Sequence, residues 1–223
     1  MTMKIALDGP SGAGKSSLAK AIAKELHIVY VDTGALYRSI GLFVRGREVD
    51  PKNAEAVIAC LPDIQLEMVF EKGEQHIYLC GEDVGDRIRT PEISMYASAV
   101  SAIPAVREFL LETQRSIARK TSVIMDGRDI GTVILPDAEV KIFLTASAEA
   151  RAKRRTLELA AKGISTTYEE VLADMRERDT NDSTRKTAPA IPAEDAVFLD
   201  NSDLSVEETI AAALAIIRDK TEK

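Results

Sequence analysis

The sequence predicts an α/β fold: a central five-stranded parallel sheet with helices on both faces, making three layers. Three observations predict it. Five short runs, at 3–8, 28–32, 122–126, 140–144 and 196–200, are nearly continuously apolar, the pattern of strands buried on both faces. Helical stretches separate them, as the crossovers of a parallel sheet require. The glycine-rich stretch GPSGAGKS, residues 9–16, joins the first run to the first helical stretch.

In chain order, MKIALD is the first strand, and SSLAKAIAKEL follows with Leu18, Ile22 and Leu26 on one helix face. IVYVD is the second strand and runs into TGALYRS, the start of a helix. Over 61–90 the pattern changes: LEMVF, EKGE and HIYLC alternate and hold aromatic residues around Gly73, which predicts an antiparallel hairpin inserted as a lobe. SVIMD and VKIFL are the third and fourth strands. Residues 151–186 then form a charged segment, helical through RAKRRTLELAAKG and polar and breaker-rich through RERDTNDSTRK, ended by Pro189 and Pro192. AVFLD is the fifth strand, and Ser205 with Glu208 forms a capping box before the last helix. Phe43, Phe70, Phe109, Phe143 and Phe198 lie in apolar runs and are expected in the core. Cys60 and Cys80 lack CxxC spacing and are expected to be packed. His27 and His76 stand apart from other ligand-type residues, so no histidine-based metal site is expected.

A chain of 223 residues can bury one substantial core, and a single domain spanning 1–223 is expected. No apolar run nears the roughly 18 residues of a membrane span, and the N-terminus lacks a signal peptide, so a soluble, cytoplasmic protein without a membrane partner is expected. The net charge of −7 argues against a nucleic-acid polymer as partner. Residues 151–186 nevertheless carry +2 against −9 elsewhere, which suits a small anionic ligand held in one place.

GPSGAGKS satisfies G-x-x-x-x-G-K-[ST] between a strand and a helix, the context in which that motif wraps phosphates. The fold class is therefore that of P-loop NTPases. Backbone N–H groups of Gly9, Pro10, Ser11, Gly12, Ala13 and Gly14, proline excepted, and of Ser16 and Ser17 are expected around a bound ATP. Lys15 is expected on the β- and γ-phosphates and Ser16 on Mg²⁺. A GTPase should carry N-K-x-D, which is absent, and a motor usually needs a larger chain. A small kinase needs only a second pocket. DTGALYR offers one, placing Asp32, Thr33, Tyr37 and Arg38 at the carboxyl end of a strand, where ligands bind in open parallel sheets. Arg38 can grip a phosphate and Tyr37 can line a sugar or base; the bland alternative is a helix cap by Thr33 and a surface arginine. SVIMDGRDIGT crowds Asp126, Arg128 and Asp129 at another strand end, and Asp126 is a candidate Mg²⁺ carboxylate.

Taken together, DGPSGAGKSS, DTGALYR, IRTPEIS, DGRDIGT, KIFLTAS and RERDTNDSTR resemble the bacterial-type cytidylate kinase family over essentially the whole chain. The resemblance implies a nucleoside monophosphate kinase with a P-loop core, an NMP-binding lobe enlarged by the insert at about 61–90, and a lid at about 151–186. It implies cytosine reading by Ser98, Arg107 and Asp129, the monophosphate near Arg38, Arg128 and Arg185, and the ribose near Arg178 and Asp182. Thr33 and Tyr37 belong to the same acceptor site, and Arg154 to the basic residues of the lid on the ATP side. Lys15, Arg128, Arg178 and Arg185 are expected to carry catalysis, with Mg²⁺ as cofactor, ATP and CMP or dCMP as substrates, and a monomeric state. Thr33, Ser16 and Ser17 stand where the family varies, each keeping a hydroxyl, so the choice between ribose and deoxyribose stays open. Two rivals remain: a kinase of the same architecture with another acceptor, such as UMP or AMP, and a non-enzymatic nucleotide-binding switch.

Overall fold

The computed structural model describes residues 2–71, 74–161 and 163–222; the turn expected at Gly73 lies outside them. The chain runs β1 (Lys4–Asp8), α1 (Lys15–Leu26), β2 (Val29–Asp32), α2 (Thr33–Gly46) and α3 (Ala54–Cys60). Next come β3 (Leu66–Glu71), β4 (Glu74–Leu79), β5 (Glu82–Asp83), α4 (Pro91–Ser101) and α5 (Pro104–Lys120). It closes with β6 (Val123–Asp126), β7 (Val140–Thr145), α6 (Ala148–Ala161), α7 (Tyr168–Thr184), β8 (Val197–Asp200) and α8 (Val206–Thr221).

The five apolar runs form one parallel sheet in the order β2-β6-β1-β7-β8. Alternate strand residues face opposite layers. Ile5, Leu7, Ile124, Ile142 and Leu144 pack with α1 and α8, while Ala6, Val31, Val123 and Met125 pack with the α5 side. Burying a side chain of the Ile or Leu size is worth roughly 1.5–3 kcal/mol, so this double-faced sheet is the stable base of the molecule. No helix among the described residues is long and apolar enough to cross a membrane.

The insert forms the expected antiparallel hairpin, β3 with β4, and β5 adds a short third strand. Ile77 and Leu79 of β4 join Leu36, Ile40, Val44, Val100 and Leu110 of α2, α4 and α5 in a core separate from those of the sheet. A third unit is the α6–α7 hairpin, closed by Ala152, Leu159, Val171 and Met175.

Four sequence expectations are corrected. The stretch RERDTNDST is helical, not broken: Thr167 and Glu170 form a capping box, and α7 runs through Thr184. Thr180, Ser183 and Thr184 donate their hydroxyls back to the carbonyls of Arg176, Asp179 and Thr180, so these polar side chains stay on the helix instead of competing with it. Helix α2 is capped by the Asp32 side chain, which accepts from the Ala35 N–H, not by Thr33. Phe198 is 62% exposed because β8 is an edge strand, and Phe109 also reaches the surface. Cys60 is buried as expected, but Cys80 is exposed.

Candidate active site

Four of the five parallel strands end in aspartate: Asp8, Asp32, Asp126 and Asp200. The register sets Asp32 beside Asp126 on neighbouring strands, so two carboxylates share one sheet edge. That edge is where the phosphate loop, α2 and α7 converge.

Gly9 opens the loop with φ 145°, and a Cβ there would sit 1.9 Å from the Leu144 carbonyl oxygen, so only glycine lets the chain pass β7. Gly12 and Gly14 also have positive φ. The Lys15 ammonium is buried and donates to the Pro10 carbonyl at 2.7 Å, inside its own loop. Burial, and then Arg128, lowers its pKa well below the ordinary lysine value, against the pull of Asp126, Asp8 and Asp182. An anion with several negative oxygens would relieve that strain. Asn201 donates to the Ala13 carbonyl at 3.1 Å and supports the loop from the β8 side.

Beside Lys15, the Ser16 hydroxyl donates to Asp126 Oδ2 at 2.8 Å and Tyr30 OH donates to Oδ1 at 3.0 Å. Burial, then the neighbouring Asp32, raises the Asp126 pKa. A buried carboxylate with a like charge alongside, held by two neutral hydroxyls, has the hard oxygen donors that suit Mg²⁺. Ser16 and Asp126 fit that ion, as their residue types imply. Tyr30 was missed because it lies within a strand run that carries no motif.

On the other side of β6, five arginines share three carboxylates, and a sixth, Arg178, lies among them. Asp32 forms an ion pair with Arg89 at 3.1 Å and accepts from Arg38 at 3.5 Å. Asp182 accepts from Arg128 Nε at 3.0 Å and lies 3.8 Å from Arg185. Asp129 is paired with Arg107 and lies 3.8 Å from Arg185. Arg178 Nε is buried with no hydrogen-bond partner among the described residues, and burial, then Arg128, lowers its pKa. The excess of positive charge creates a place for a multiply charged anion. Tyr37 is buried beneath Arg107, whose guanidinium carbon lies 5.3 Å from the ring centre.

The charges of the 126–129 stretch thus face different neighbours: Asp126 meets Ser16, Arg128 meets Asp182, and Asp129 meets Arg107 and Arg185. Gly127 permits this because a Cβ there would fall 2.6 Å from Ile130 Cδ1 and 2.9 Å from Thr33 Oγ1. Thr33 turns its hydroxyl inward, donating to the Asp126 carbonyl at 2.7 Å. Ser98 is half-buried and its carbonyl accepts from Ser101, while Ser101 Oγ lies 3.4 Å from Arg185. Arg154 is bonded to Asn201 and Ser202 behind the phosphate loop, away from the acceptor cluster.

Three further neighbours of the site were missed. Arg89 stands in the quoted IRTPEIS stretch, so its signal was present but unused. Gln75 of β4 accepts from the Asp32 N–H at 2.7 Å and donates to its carbonyl at 3.1 Å, tying the insert to the site. Arg151 donates to the Ser11 carbonyl at 2.9 Å and pairs with Asp179 at 2.7 Å, linking the phosphate loop to α7.

A family model described as Cytidylate kinase matches residues 5–219. The cytidylate kinase of Caldicellulosiruptor saccharolyticus is 48% identical over 214 residues, spanning 96% of this chain and 95% of that protein. That of Caldanaerobacter subterraneus subsp. tengcongensis is 49% identical over 223 residues, spanning 99% and 97%. A solved gluconokinase from Sinorhizobium meliloti aligns over 99% of this chain and 94% of its own at 15% identity and TM-score 0.50, a likeness of fold alone.

Proposed function

This chain belongs to the cytidylate kinase family, and on that premise we propose that it transfers the γ-phosphoryl group of ATP to CMP or dCMP, giving ADP and CDP or dCDP. One observation carries the reading. The end of β6 turns one carboxylate, Asp126, toward the phosphate loop and another, Asp129, into the arginine cluster, with one glycine and one arginine between them. A donor side and an acceptor side therefore meet across four residues.

The nucleophile is an oxygen of the acceptor monophosphate. Its second ionisation lies near pH 6, so it is largely dianionic at neutral pH and needs no general base. The protein's task is positioning and charge neutralisation. Lys15, with the backbone of residues 9–17, holds the donor phosphates. Arg38, Arg89, Arg128 and Arg185 hold the acceptor phosphate, Arg178 and Asp182 lie by the ribose, and Arg178 also faces the transferred group. Asp129, paired with Arg107 and 3.8 Å from Arg185, accepts from the exocyclic amine of cytosine, a donor that uracil lacks. Ser16 and Asp126 would hold Mg²⁺, which would supply charge neutralisation at the donor phosphates. The α6–α7 hairpin, which carries Arg178 and Asp182 and leads into Arg185, is the lid that excludes water, the competing nucleophile. The protein works as a cytoplasmic monomer without a nucleic-acid or membrane partner.

Turnover of CMP, dCMP, UMP and AMP with ATP, measured side by side, tests the reading. CMP and dCMP should lead, and a preference for AMP would overturn it. ATP binding without transfer to any monophosphate would favour the non-enzymatic switch.

A further inference from the structure

Asp129 lies outside both β6 and the helical turn that follows it, with φ −147° and ψ 29°, so no regular ladder sets its direction. The turn, Ile130–Ile134, is wide: the Ile134 and Leu135 N–H groups bond carbonyls five residues back, those of Asp129 and Ile130. One wide turn is weak by itself, and its leading N–H and trailing C=O groups need partners. Both ends find one. Asp8, the buried last residue of β1, accepts from the Ile130 N–H through Oδ1 and the Gly131 N–H through Oδ2, each at 2.8 Å. Half-buried Arg115 of α5 donates to the carbonyls of Ile134 at 3.0 Å and Val133 at 2.8 Å.

We propose that Asp8 and Arg115 are positioning residues for base selection, clamping this turn from its two ends and thereby aiming the Asp129 carboxylate. Asp8 directly precedes the phosphate loop, so the clamp also ties the donor side to the base-reading side. The inference rests on the reading of Asp129 as the acceptor of the cytosine amine. It concerns two residues that touch neither nucleotide in that reading and act only through the backbone of 130–134.

The experiment measures kcat and KM for CMP and for UMP at saturating ATP in the parent chain and in Asp129→Asn, Asp8→Asn and Arg115→Met. Asp8→Asn keeps the shape but turns an N–H toward an N–H. We expect it to narrow the CMP-over-UMP preference about tenfold, and Arg115→Met about threefold, through KM for CMP while KM for ATP stays within about twofold. A purely structural role would lower kcat for both acceptors alike and leave the ratio intact. If Asp129→Asn narrows the preference and the two clamp variants leave it unchanged, the clamp is overturned and the base reading stands. If Asp129→Asn itself leaves the preference unchanged, the base reading is overturned. Should Asp8→Asn fail to fold, the surface-reaching Arg115→Met decides alone.

Discussion

The glycine-rich loop and the arginine cluster concentrate positive charge by opposite routes. In the loop, Lys15 bonds a carbonyl five residues away, within one contiguous stretch of chain. In the cluster, Arg128 meets Asp182 across 54 residues of chain, and Arg107, Arg185 and Asp129 arrive from α5, the end of α7 and the end of β6. The loop is local and carries one strongly desolvated cation. The cluster is non-local and spreads its charge over pairs, leaving Arg178 Nε and Arg185 Nη2 buried without a hydrogen-bond partner among the described residues. The difference teaches where activity and stability separate: a group held ready for ligand stays imperfectly satisfied by its own protein.

Lys15→Ala breaks the donor side and should have the largest effect, a loss of about 10³-fold in kcat with the fold retained, checked by steady-state kinetics and circular dichroism. Arg178→Met sharpens the contrast, because its buried guanidinium lacks full compensation. It should lower kcat about 10²-fold while holding Tm or raising it by about 2 °C, read by kinetics and calorimetry on one preparation. A clear fall in Tm would mean that Arg178 serves packing. Asp126→Asn weakens the seam between the two sides and should raise the Mg²⁺ concentration for half-maximal velocity about tenfold, with Mn²⁺ binding to the ADP-loaded enzyme weakened in parallel.

A last effect, on stability rather than turnover, concerns Asp8, whose pKa burial raises to about 6 against the backbone N–H groups that hold it down. An acid with a raised folded-state pKa binds protons more readily folded than unfolded. Its contribution to stability therefore falls as pH rises from about 4 to about 6, by up to about 3 kcal/mol. Urea melts of the parent chain and Asp8→Asn across that window should show the parent losing stability relative to the variant as pH rises. Parallel curves would remove the buried ionised carboxylate from the account.

The insert and the α6–α7 hairpin show how unevenly local pattern carries information. The β3–β4 alternation was legible because each strand buries one face. The end of α7 was not, since its Thr and Ser hydroxyls resemble breakers until they are seen bonded to carbonyls one turn back. Gln75 was hidden for another reason: its role exists only through Asp32, and no spacing in the chain records that contact.

By itself the sequence determined the α/β class, the five strands and the phosphate loop with Lys15 and Ser16, and through its resemblance it named the residues proposed for the acceptor site. These follow from hydrophobic period and short contiguous motifs, which local backbone physics reads directly. Only the tertiary structure decided which carboxylate each arginine meets, that Asp32 and Asp126 lie side by side, and that Asp8 and Arg115 hold the turn after Asp129. Strand order and register set those partnerships, and a Coulomb interaction depends on distance in space rather than along the chain.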